Sequence, residues 1–286
     1  MRTANSIKVA DRLLHVTSGV LAGLAVLGLG AIVVQLFRDG ASELGTFSLN
    51  FLVGEVEDAG RAGGIGPILA STGLILLIAL GTSLPLGIAS SIWLSEFASA
   101  TKFRATLVSG IDLLASVPSI VFGLFGMVFF CEVLGLGFSL AAGGLTLGLM
   151  ILPLVIRTTS IGLEGLPRDL RGSAAALGLS KVSLISRLLL PQAAPSIAVG
   201  AALGTGRALA ETAALIFTSG YATRWPSGID QSGRALSVHV YDLAMNVPRG
   251  TENAAKSALV LLILVLVINL LTQHLSKRWR RSLSKS

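Results

Sequence analysis

Long apolar runs alternate with shorter polar segments along this chain of 286 residues. Six runs approach the roughly 20 apolar residues with which a helix crosses the hydrocarbon core of a bilayer. The runs cover residues 13–37, 68–94, 107–130, 140–161, 193–218 and 254–275. The pattern therefore predicts an all-α integral membrane protein with about six transmembrane helices.

The composition agrees with a membrane protein. Hydrophobic residues make up 52% of the chain and charged residues only 13%, whereas soluble domains carry about 25% charged residues. The first apolar run exceeds the roughly 7–15 residues of a signal-peptide core, so we expect an uncleaved anchor. The 33 glycines predict close packing between helices. One cysteine excludes an internal disulfide, and the scattered histidines (His15, His239 and His274) favour isolated polar residues near the membrane edges over a metal site.

The basic residues are unevenly distributed between alternate connecting segments. With the N-terminus inside, the four inner segments hold three, two, five and five lysines or arginines, fifteen of the 22 in the chain. The outer segments hold six, and Arg207 lies within an apolar run. This positive-inside bias predicts that both termini are cytoplasmic. The net charge of +7 thus reports topology, and nucleic-acid binding is not needed to explain it.

Two of the predicted spans contain a proline, Pro85 in the second and Pro118 in the third. A proline removes a backbone hydrogen bond and kinks a helix, which membrane proteins tolerate when neighbours satisfy the freed carbonyl. Asp112 lies near the cytoplasmic end of the third span and either faces the protein interior or reaches water. Small residues around Pro118 predict a tightly packed face, formed by Gly110, Ser116, Ser119, Gly123 and Gly126.

A polar segment, residues 164–191, separates the fourth and fifth spans. Pro167 suits the first turn of a helix, on which Leu170, Ala174 and Leu177 would share one face opposite Arg171. We expect Gly178 to end this helix, and residues 182–190 to form a second amphipathic piece before Pro191. The segment is either a connector lying on the membrane surface or a helix that docks into a cytoplasmic partner.

The fifth span carries two charges, Arg207 and Glu211, four residues apart. In a continuous helix they share a face and can pair, and each costs about 2.5–3.5 kcal/mol at a helix centre on insertion scales. One interpretation is an internal salt bridge that fixes the helix. The other is a pathway for an anionic solute, in which the guanidinium of Arg207 faces the anion and Thr205 and Thr212 add hydroxyl groups.

The cytoplasmic loop GSAAALGLSKVSLISRLLLP resembles the EAA loop of ATP-binding-cassette (ABC) importer permeases. That pattern is Glu-Ala-Ala, three residues, Gly, nine residues, then Ile-x-Leu-Pro. The spacing is kept here, with Gly172 and Ser173 where Glu and Ala are usual. The resemblance implies a type I, MetI-like permease fold. It also implies docking of residues 172–178 into a cleft of a separate ATPase subunit, through Arg171, Gly172, Ser173, Ala174, Leu177 and Gly178.

The stretch GRALAETAALIFTSG is similar to the fifth span of phosphate-importer permeases, which carries Arg-Ala-x-x-Glu-Thr. Within that pair of subunits it resembles the PstA type more than the PstC type, and residues 66–98 and 117–126 agree. The resemblance implies an anion path at Arg207, Glu211, Thr212 and Thr205. Sulfate and molybdate permeases, which tend to have Phe where this chain has Thr212, are the alternative.

The resemblance also implies partners. These are a PstC-like second permease, a PstB-like ATPase dimer, a PstS-like phosphate-binding protein, phosphate and membrane lipid. No P-loop motif occurs in the sequence, so ATP and magnesium are expected on the partner ATPase and no cofactor on this chain. An intramembrane enzyme is disfavoured because no HExxH or nucleophile motif occurs in a span. A membrane scaffold would not need Arg207 and Glu211.

The expected organisation has three parts, in the inner membrane of a prokaryote. Residues 1–66 form an anchor helix and an extracytoplasmic loop, in which residues 47–53 are a short helix or strand. Residues 67–275 form the permease core with its coupling loop at 162–192, and residues 276–286 form a basic tail. The outer loops, 38–67 and 221–255, are either interfacial anchors and a lid or a docking surface for the binding protein.

Overall fold

The structure is a computed structural model that describes residues 4–41, 49–98, 101–167 and 169–283. Twelve α-helices follow one another in these ranges, with one short β-hairpin near the start. The helices are α1 (Ala4–Ala41), α2 (Leu49–Val53), α3 (Gly66–Ile92), α4 (Lys102–Ser116), α5 (Ser119–Gly126), α6 (Leu140–Glu164), α7 (Asp169–Ala176), α8 (Lys181–Leu184), α9 (Leu190–Ala210), α10 (Ala213–Ile216), α11 (Leu236–Met245) and α12 (Thr251–Leu283). Strands β1 (Val56–Glu57) and β2 (Ala62–Gly63) pair antiparallel. The π-helical segment Trp93–Phe97 extends α3, and the segment Met127–Val133 extends α5. A third, Ile185–Leu189, joins α8 to α9.

The prediction of about six spans is confirmed by length and hydropathy. Five helical segments of the described residues are long and apolar enough to cross a membrane: Asp11–Gln35, Gly66–Phe97, Leu140–Glu164, Lys181–Ala210 and Thr251–His274. A sixth crossing is available if the pair Lys102–Ser116 and Ser119–Val133 is one broken span. Helix α12 runs on to Leu283, so much of the predicted tail from residue 276 continues the last helix.

The third predicted span is not one helix. Its halves, α4 and α5, meet at 96°, because Val117 and Pro118 both have extended backbone with ψ of 132° and 142°. The predicted small-residue face is correct only beyond the bend: Gly123 and Gly126 are buried, whereas α4 has no buried residue. Pro85, in contrast, lies inside α3 without ending it.

The core is built around α6, which packs between α3 and α9. Glycines bring these helices together, as predicted. A Cβ at Gly148 would lie 2.4 Å from the Thr82 hydroxyl of α3, and one at Gly200 of α9 would lie 2.1 Å from the Thr158 hydroxyl of α6. Helix α1 contacts α12 and is exposed throughout Asp11–Gln35.

The two ends of α3 lie near different helices, α11 at its N-terminus and α7 beyond its C-terminus. We name the two ends of the molecule after these helices. Near the N-terminus of α3 the Oγ1 atom of Thr72 accepts a hydrogen bond of 2.9 Å from the amide of Leu236, which opens α11. Helix α11 was not predicted within the loop at 221–255. It is well buried, and His239 is only 1% exposed. Of the segment predicted at residues 47–53, Leu49–Val53 is helical and residues 47 and 48 lie outside the described residues.

Candidate transport and coupling sites

The fifth span breaks where its two charges lie. We predicted a helix over residues 193–218, but the helical segment begins at Lys181 and α9 ends at Ala210. Glu211 has extended backbone (ψ 125°), and the four-residue helix α10 starts only at Ala213. The hydropathy pattern did not show this break because residues 208–217 carry neither proline nor glycine.

The predicted pairing of Arg207 with Glu211 is wrong, since it assumed a continuous helix. The Oε1 atom of Glu211 instead accepts a hydrogen bond of 3.1 Å from the amide of Ala214. A carboxylate at this position satisfies one of the free amides that open a helix. The Oγ atom of Ser237 in α11 donates to the main-chain carbonyl of Glu211. Glu211 therefore holds the break together through both its side chain and its backbone.

Arg207 occupies the last turn of α9 and is partly buried. In the part of the chain that the structure describes, no hydrogen bond or ion pair engages its guanidinium. A cation near a helix C-terminus interacts favourably with the carbonyl ends of the helix, while the five N–H donors of the guanidinium remain available to an anion. The break thus leaves a cation without a protein counter-ion among the described residues.

The two threonines predicted beside Arg207 differ in availability. The hydroxyl of Thr205 is buried and donates to the carbonyl of Ala201 at 2.7 Å, within its own helix turn. Its proton is therefore already used, and only its oxygen lone pairs remain for a further contact. Thr212 lies in the break itself and is half-buried. The structure brings Arg207, Glu211 and Thr212 to one interruption of the helix.

Neighbouring elements seat the short helix after the break. Helix α10 packs on α5, where a Cβ at Gly123 would lie 2.7 Å from the Cα atom of Ala214. Beyond α10, the carbonyl of Thr218 accepts a hydrogen bond of 3.0 Å from the amide of Ser139, which caps α6. The break is therefore fixed by α5, α6 and α11, which lie apart from it in the sequence.

A polar cluster lies between α11 and the segment before it. Arg234 and Asp242 form an ion pair of 2.9 Å with both side chains largely buried, and the Arg234 guanidinium lies 5.6 Å from the centre of the Tyr221 ring. Burial lowers the pKa of His239 to about 4, and the nearby Arg234 charge acts in the same direction. His239 is therefore neutral at physiological pH.

The loop helix predicted between the fourth and fifth spans is α7. Ala174 is buried and Leu170 partly so, as predicted, but Leu177 is 77% exposed and does not join their face. The chain turns at Gly178, whose φ of +68° lies in the left-handed region that favours glycine. Like Leu177, the side chains of Leu179 and Val182 beyond the turn are exposed and apolar. We call these three residues the apolar tip.

The second amphipathic piece, predicted over residues 182–190, does not end at Pro191. Lys181–Leu184, the π-helical turn Ile185–Leu189 and α9 are continuous. Pro191 has no amide hydrogen to donate within this continuous segment, and the π-helical turn directly before it, Ile185–Leu189, is the kind of irregularity by which a helix accommodates a proline. One helical segment therefore leads from the apolar tip to Arg207.

Arg171, predicted on the outer face of α7, points into the protein. Its Nη2 atom donates to Oε1 of Glu96 at 2.6 Å and to the carbonyl of Leu163 at 3.0 Å. Hydrogen bonding to Glu96 raises the pKa of Arg171 further. Beside this pair, Arg104 donates to Glu164 at 2.7 Å and to the carbonyl of Leu94 at 3.0 Å. We call Glu96, Arg104, Glu164 and Arg171 the ion-pair node.

The ion-pair node was missed by sequence analysis, because its partners are 60 and 75 residues apart. A weak signal was available: Glu96 lies only two residues beyond the second apolar run. Asp112, whose environment the sequence left open, is half-exposed and pairs with Arg157 at 2.8 Å. It therefore lies at the surface, between α4 and α6.

The fold contains five helical segments of the described residues, or six with the bent pair, that are long and apolar enough to cross a membrane. Residues 83–281 match the family model described as binding-protein-dependent transport system inner membrane component. The chain belongs to this family. It is thus an ABC importer permease subunit, which is not itself an enzyme. Membership of the family implies a second permease, an ATPase and a substrate-binding protein.

Named relatives and solved structures agree with this assignment. The chain is 32% identical to the probable ABC transporter permease protein YqgI of Bacillus subtilis, over 94% of this chain and 95% of that protein. It is 33% identical to the phosphate transport system permease protein PstA of Xylella fastidiosa, over 73% and 74% of the two chains. A chain of the inward-facing MetNI methionine ABC transporter covers 76% of this protein, and 94% of that chain aligns, with a TM-score of 0.60 and 18% identity. The last likeness confirms the predicted MetI-like fold.

Proposed function

We propose that this chain is a PstA-type permease subunit of an inorganic phosphate importer in the cytoplasmic membrane of a prokaryote. Its partners would be a PstC-like permease, a PstB-like ATPase dimer that binds ATP and magnesium, and a PstS-like binding protein. The relative from Xylella fastidiosa carries the name of such a subunit. The end of the molecule that bears α7 would face the cytoplasm, in keeping with the positive-inside bias.

The observation that carries this proposal is the unpaired guanidinium of Arg207 at the break of the fifth span. A charged side chain inside a membrane protein usually faces a partner or a solute pathway, and among the described residues Arg207 has no partner. A guanidinium offers a planar fork of donors that matches two oxygens of a phosphate. Thr212, in the same break, adds a hydroxyl group. Glu211 serves the site by capping α10, and its negative charge is thereby held beside the amides of that helix.

The transport cycle then follows from two conformations that ligands bias. A loaded binding protein docks at the α11 end, and ATP-driven closure of the ATPase dimer moves α7. The spans open toward the binding protein, and phosphate meets the guanidinium of Arg207 without a permanent counter-ion to displace. Hydrolysis of ATP resets the inward-facing state. The apolar tip (Leu177, Leu179 and Val182) and the exposed Gly172 and Ser173 would enter the ATPase cleft.

The proposal is tested by phosphate uptake in cells whose only permease of this type is the variant Arg207→Gln, with assembly of the complex measured in parallel. We expect uptake to fall by at least about tenfold, since hydrogen bonds to a charged group contribute about 1.5–3 kcal/mol. Arg207→Lys keeps the charge but loses the fork of donors, so its uptake should lie between that of the wild type and that of Arg207→Gln. The control Arg38→Gln removes an exposed charge from α1 and should transport normally. Wild-type uptake by Arg207→Gln with an assembled complex would refute the anion path.

A second oxyanion is the remaining alternative as the substrate, since sulfate and molybdate permeases share the architecture. Uptake of radiolabelled phosphate by the wild-type complex should resist an excess of sulfate or molybdate and be lost to unlabelled phosphate. If sulfate or molybdate competes and is itself transported in preference, the substrate assignment is wrong although the permease assignment stands.

A further inference from the structure

The ion-pair node joins four helix ends at the α7 end of the molecule. Glu96 lies in the π-helical extension of α3, Arg104 in the first turn of α4, Glu164 at the last residue of α6, and Arg171 in α7. Both arginines also donate to main-chain carbonyls at helix ends, Arg171 to Leu163 and Arg104 to Leu94. The node therefore fixes backbone as well as side chains.

The pair at the centre of the node is the best protected ion pair of this end. The side chain of Glu96 is 9% exposed and that of Arg171 is 28% exposed, whereas Arg157 and Asp112 are both nearly half-exposed. Arg171 meets both carboxylate oxygens of Glu96 through Nε, each at 3.2 Å, and meets Oε1 also through Nη2. Such a forked arrangement restricts the relative orientation of its two helices.

Covalent connections cannot provide this link. Helix α7 is joined by the chain to α6 through residues 165–168 and to α8 through the turn at Gly178. The end of α3 is 75 residues away along the chain. A displacement of α7 would reach α6 and α9 through the chain, and the node adds a polar link from α7 directly to the end of the second span.

We propose that Glu96 and Arg171 are positioning residues, which transmit the displacement of α7 to the second span and, through Arg104, to the start of the third. Arg171 then acts inside the permease and does not contact the ATPase. This inference rests on the proposed role of α7 as the helix that the ATPase moves. It adds a direct connection from α7 to helices that the coupling loop does not join covalently.

The test uses the complete complex in liposomes: both permeases, the ATPase dimer and the cognate binding protein carrying its own solute. The variants are Glu96→Gln, Arg171→Gln and the reversed pair Glu96→Arg/Arg171→Glu. Lys102→Gln is the control for Arg171→Gln, because it likewise removes one positive charge. Lys102 is exposed at the start of α4. Two quantities are measured, the amount of ATPase that co-purifies and the stimulation of ATP hydrolysis by the binding protein.

We expect the single variants to retain the ATPase but to lose stimulation by the binding protein. Coupling between two sites typically amounts to about a 5- to 150-fold effect, so stimulation should fall at least about fivefold. The reversed pair should recover most of the stimulation, because it restores an ion pair between the same helices. Lys102→Gln should behave like the wild type.

Three results would overturn the inference. Stimulation that is unchanged in both single variants would show that the node does not transmit motion. Loss of stimulation that the reversed pair does not recover would assign the pair to structure alone. If Glu96→Gln does not assemble, Arg171→Lys keeps the charge and loses the fork, and wild-type stimulation by this variant would again overturn the proposal.

These results are separate from the substrate assignment. Stimulation of ATP hydrolysis by the cognate binding protein requires docking and coupling, whatever solute the binding protein carries. Failure of the phosphate proposal would appear instead as a wild-type complex that hydrolyses ATP on stimulation and takes up no phosphate.

Discussion

The α7 end of the molecule and the break of the fifth span use arginine in opposite ways. At the α7 end, three arginines pair across helices: Arg171 with Glu96, Arg104 with Glu164, and Arg157 with Asp112, at 2.6, 2.7 and 2.8 Å. At the break of the fifth span, Arg207 has a carboxylate four residues away, yet the carboxylate of Glu211 is turned to an amide of α10. The break keeps the cation and its nearest acid apart.

This difference shows what each of the two regions is suited to do. A paired and partly buried charge is costly to separate, so it defines the relative position of two helices. An unpaired cation defines no such position, but it can take an anionic ligand without first losing a protein partner. On the two proposals, the α7 end moves as a unit and the break exchanges contacts with the solute.

The largest expected effect is on the free energy of unfolding, and it arises from His239 in α11, the helix that supports the break. Because the pKa of His239 is about 4 in the fold and about 6.5 when unfolded, the neutral form is favoured by the folded state. Its contribution to stability is complete above about pH 6.5 and is lost as the pH falls toward 4, by about 2 kcal/mol at pH 5. Thermal unfolding of the purified complex at pH 7.5 and pH 5 measures this loss, which His239→Gln should reduce and the exposed-site control His15→Gln should not. Equal pH dependence in all three proteins would contradict it.

The packing beneath α10 gives the next effect. In Gly123→Val a side chain would have to enter where a Cβ already lies 2.7 Å from the backbone of Ala214. Overpacking typically costs about 1–3 kcal/mol, and here it should displace the break and reduce uptake while the ATPase still co-purifies. Gly110→Val, on the exposed face of α4 where a Cβ meets nothing within 4 Å, is the matched control. A normal Gly123→Val permease would mean that α5 does not hold the break.

At the α7 end, the apolar tip should matter for assembly and not for folding. Leu177 is 77% exposed, so Leu177→Asp should leave the thermal stability of the permease unchanged. It should weaken binding of the ATPase by about tenfold, since burying a leucine side chain contributes about 1.5–3 kcal/mol. Titration of detergent-solubilised permease with the ATPase measures this affinity. Unchanged affinity would exclude Leu177 from the docking surface.

The smallest effect separates the two roles of Glu211. Glu211→Gln keeps an oxygen that can accept from the Ala214 amide, whereas Glu211→Ala removes the cap and should cost about 1 kcal/mol. If Glu211 only caps α10, the Gln variant transports normally and the Ala variant is impaired. Comparable loss of uptake in both variants would show that the negative charge of Glu211 itself acts on the anion path. That result would contradict the view that the break keeps Arg207 and its nearest acid apart.

Hydropathy and proline placement predicted most of the spans and the site of the bend. Four of the six apolar runs, 13–37, 68–94, 140–161 and 254–275, lie within continuous helical segments, and Pro118 marks the 96° change in direction of a fifth. The close helix contacts at Gly148 and Gly200 were also expected from the number of glycines. These features depend on local composition, which the sequence displays directly.

The break at Glu211 and the ion-pair node could not be predicted in the same way. The segment around Glu211 reads as a helix, and it is interrupted through tertiary contacts, from the Ser237 hydroxyl and from α5 packed on α10. The partner of Arg171 is set by how α3 and α7 meet, which no spacing along the chain encodes. Leu177 likewise has the spacing of a buried helix face, but it is 77% exposed just before the turn at Gly178.

The continuous segment Lys181–Ala210 has a consequence for which insertions and deletions the chain can tolerate. It contains 30 residues, and a helix turns by about 100° and rises by about 1.5 Å with each residue. Adding or removing one residue between Pro191 and Arg207 would rotate the guanidinium to another side of the helix, while every residue identity in the motif stayed the same. Length in this segment is therefore as tightly constrained as sequence.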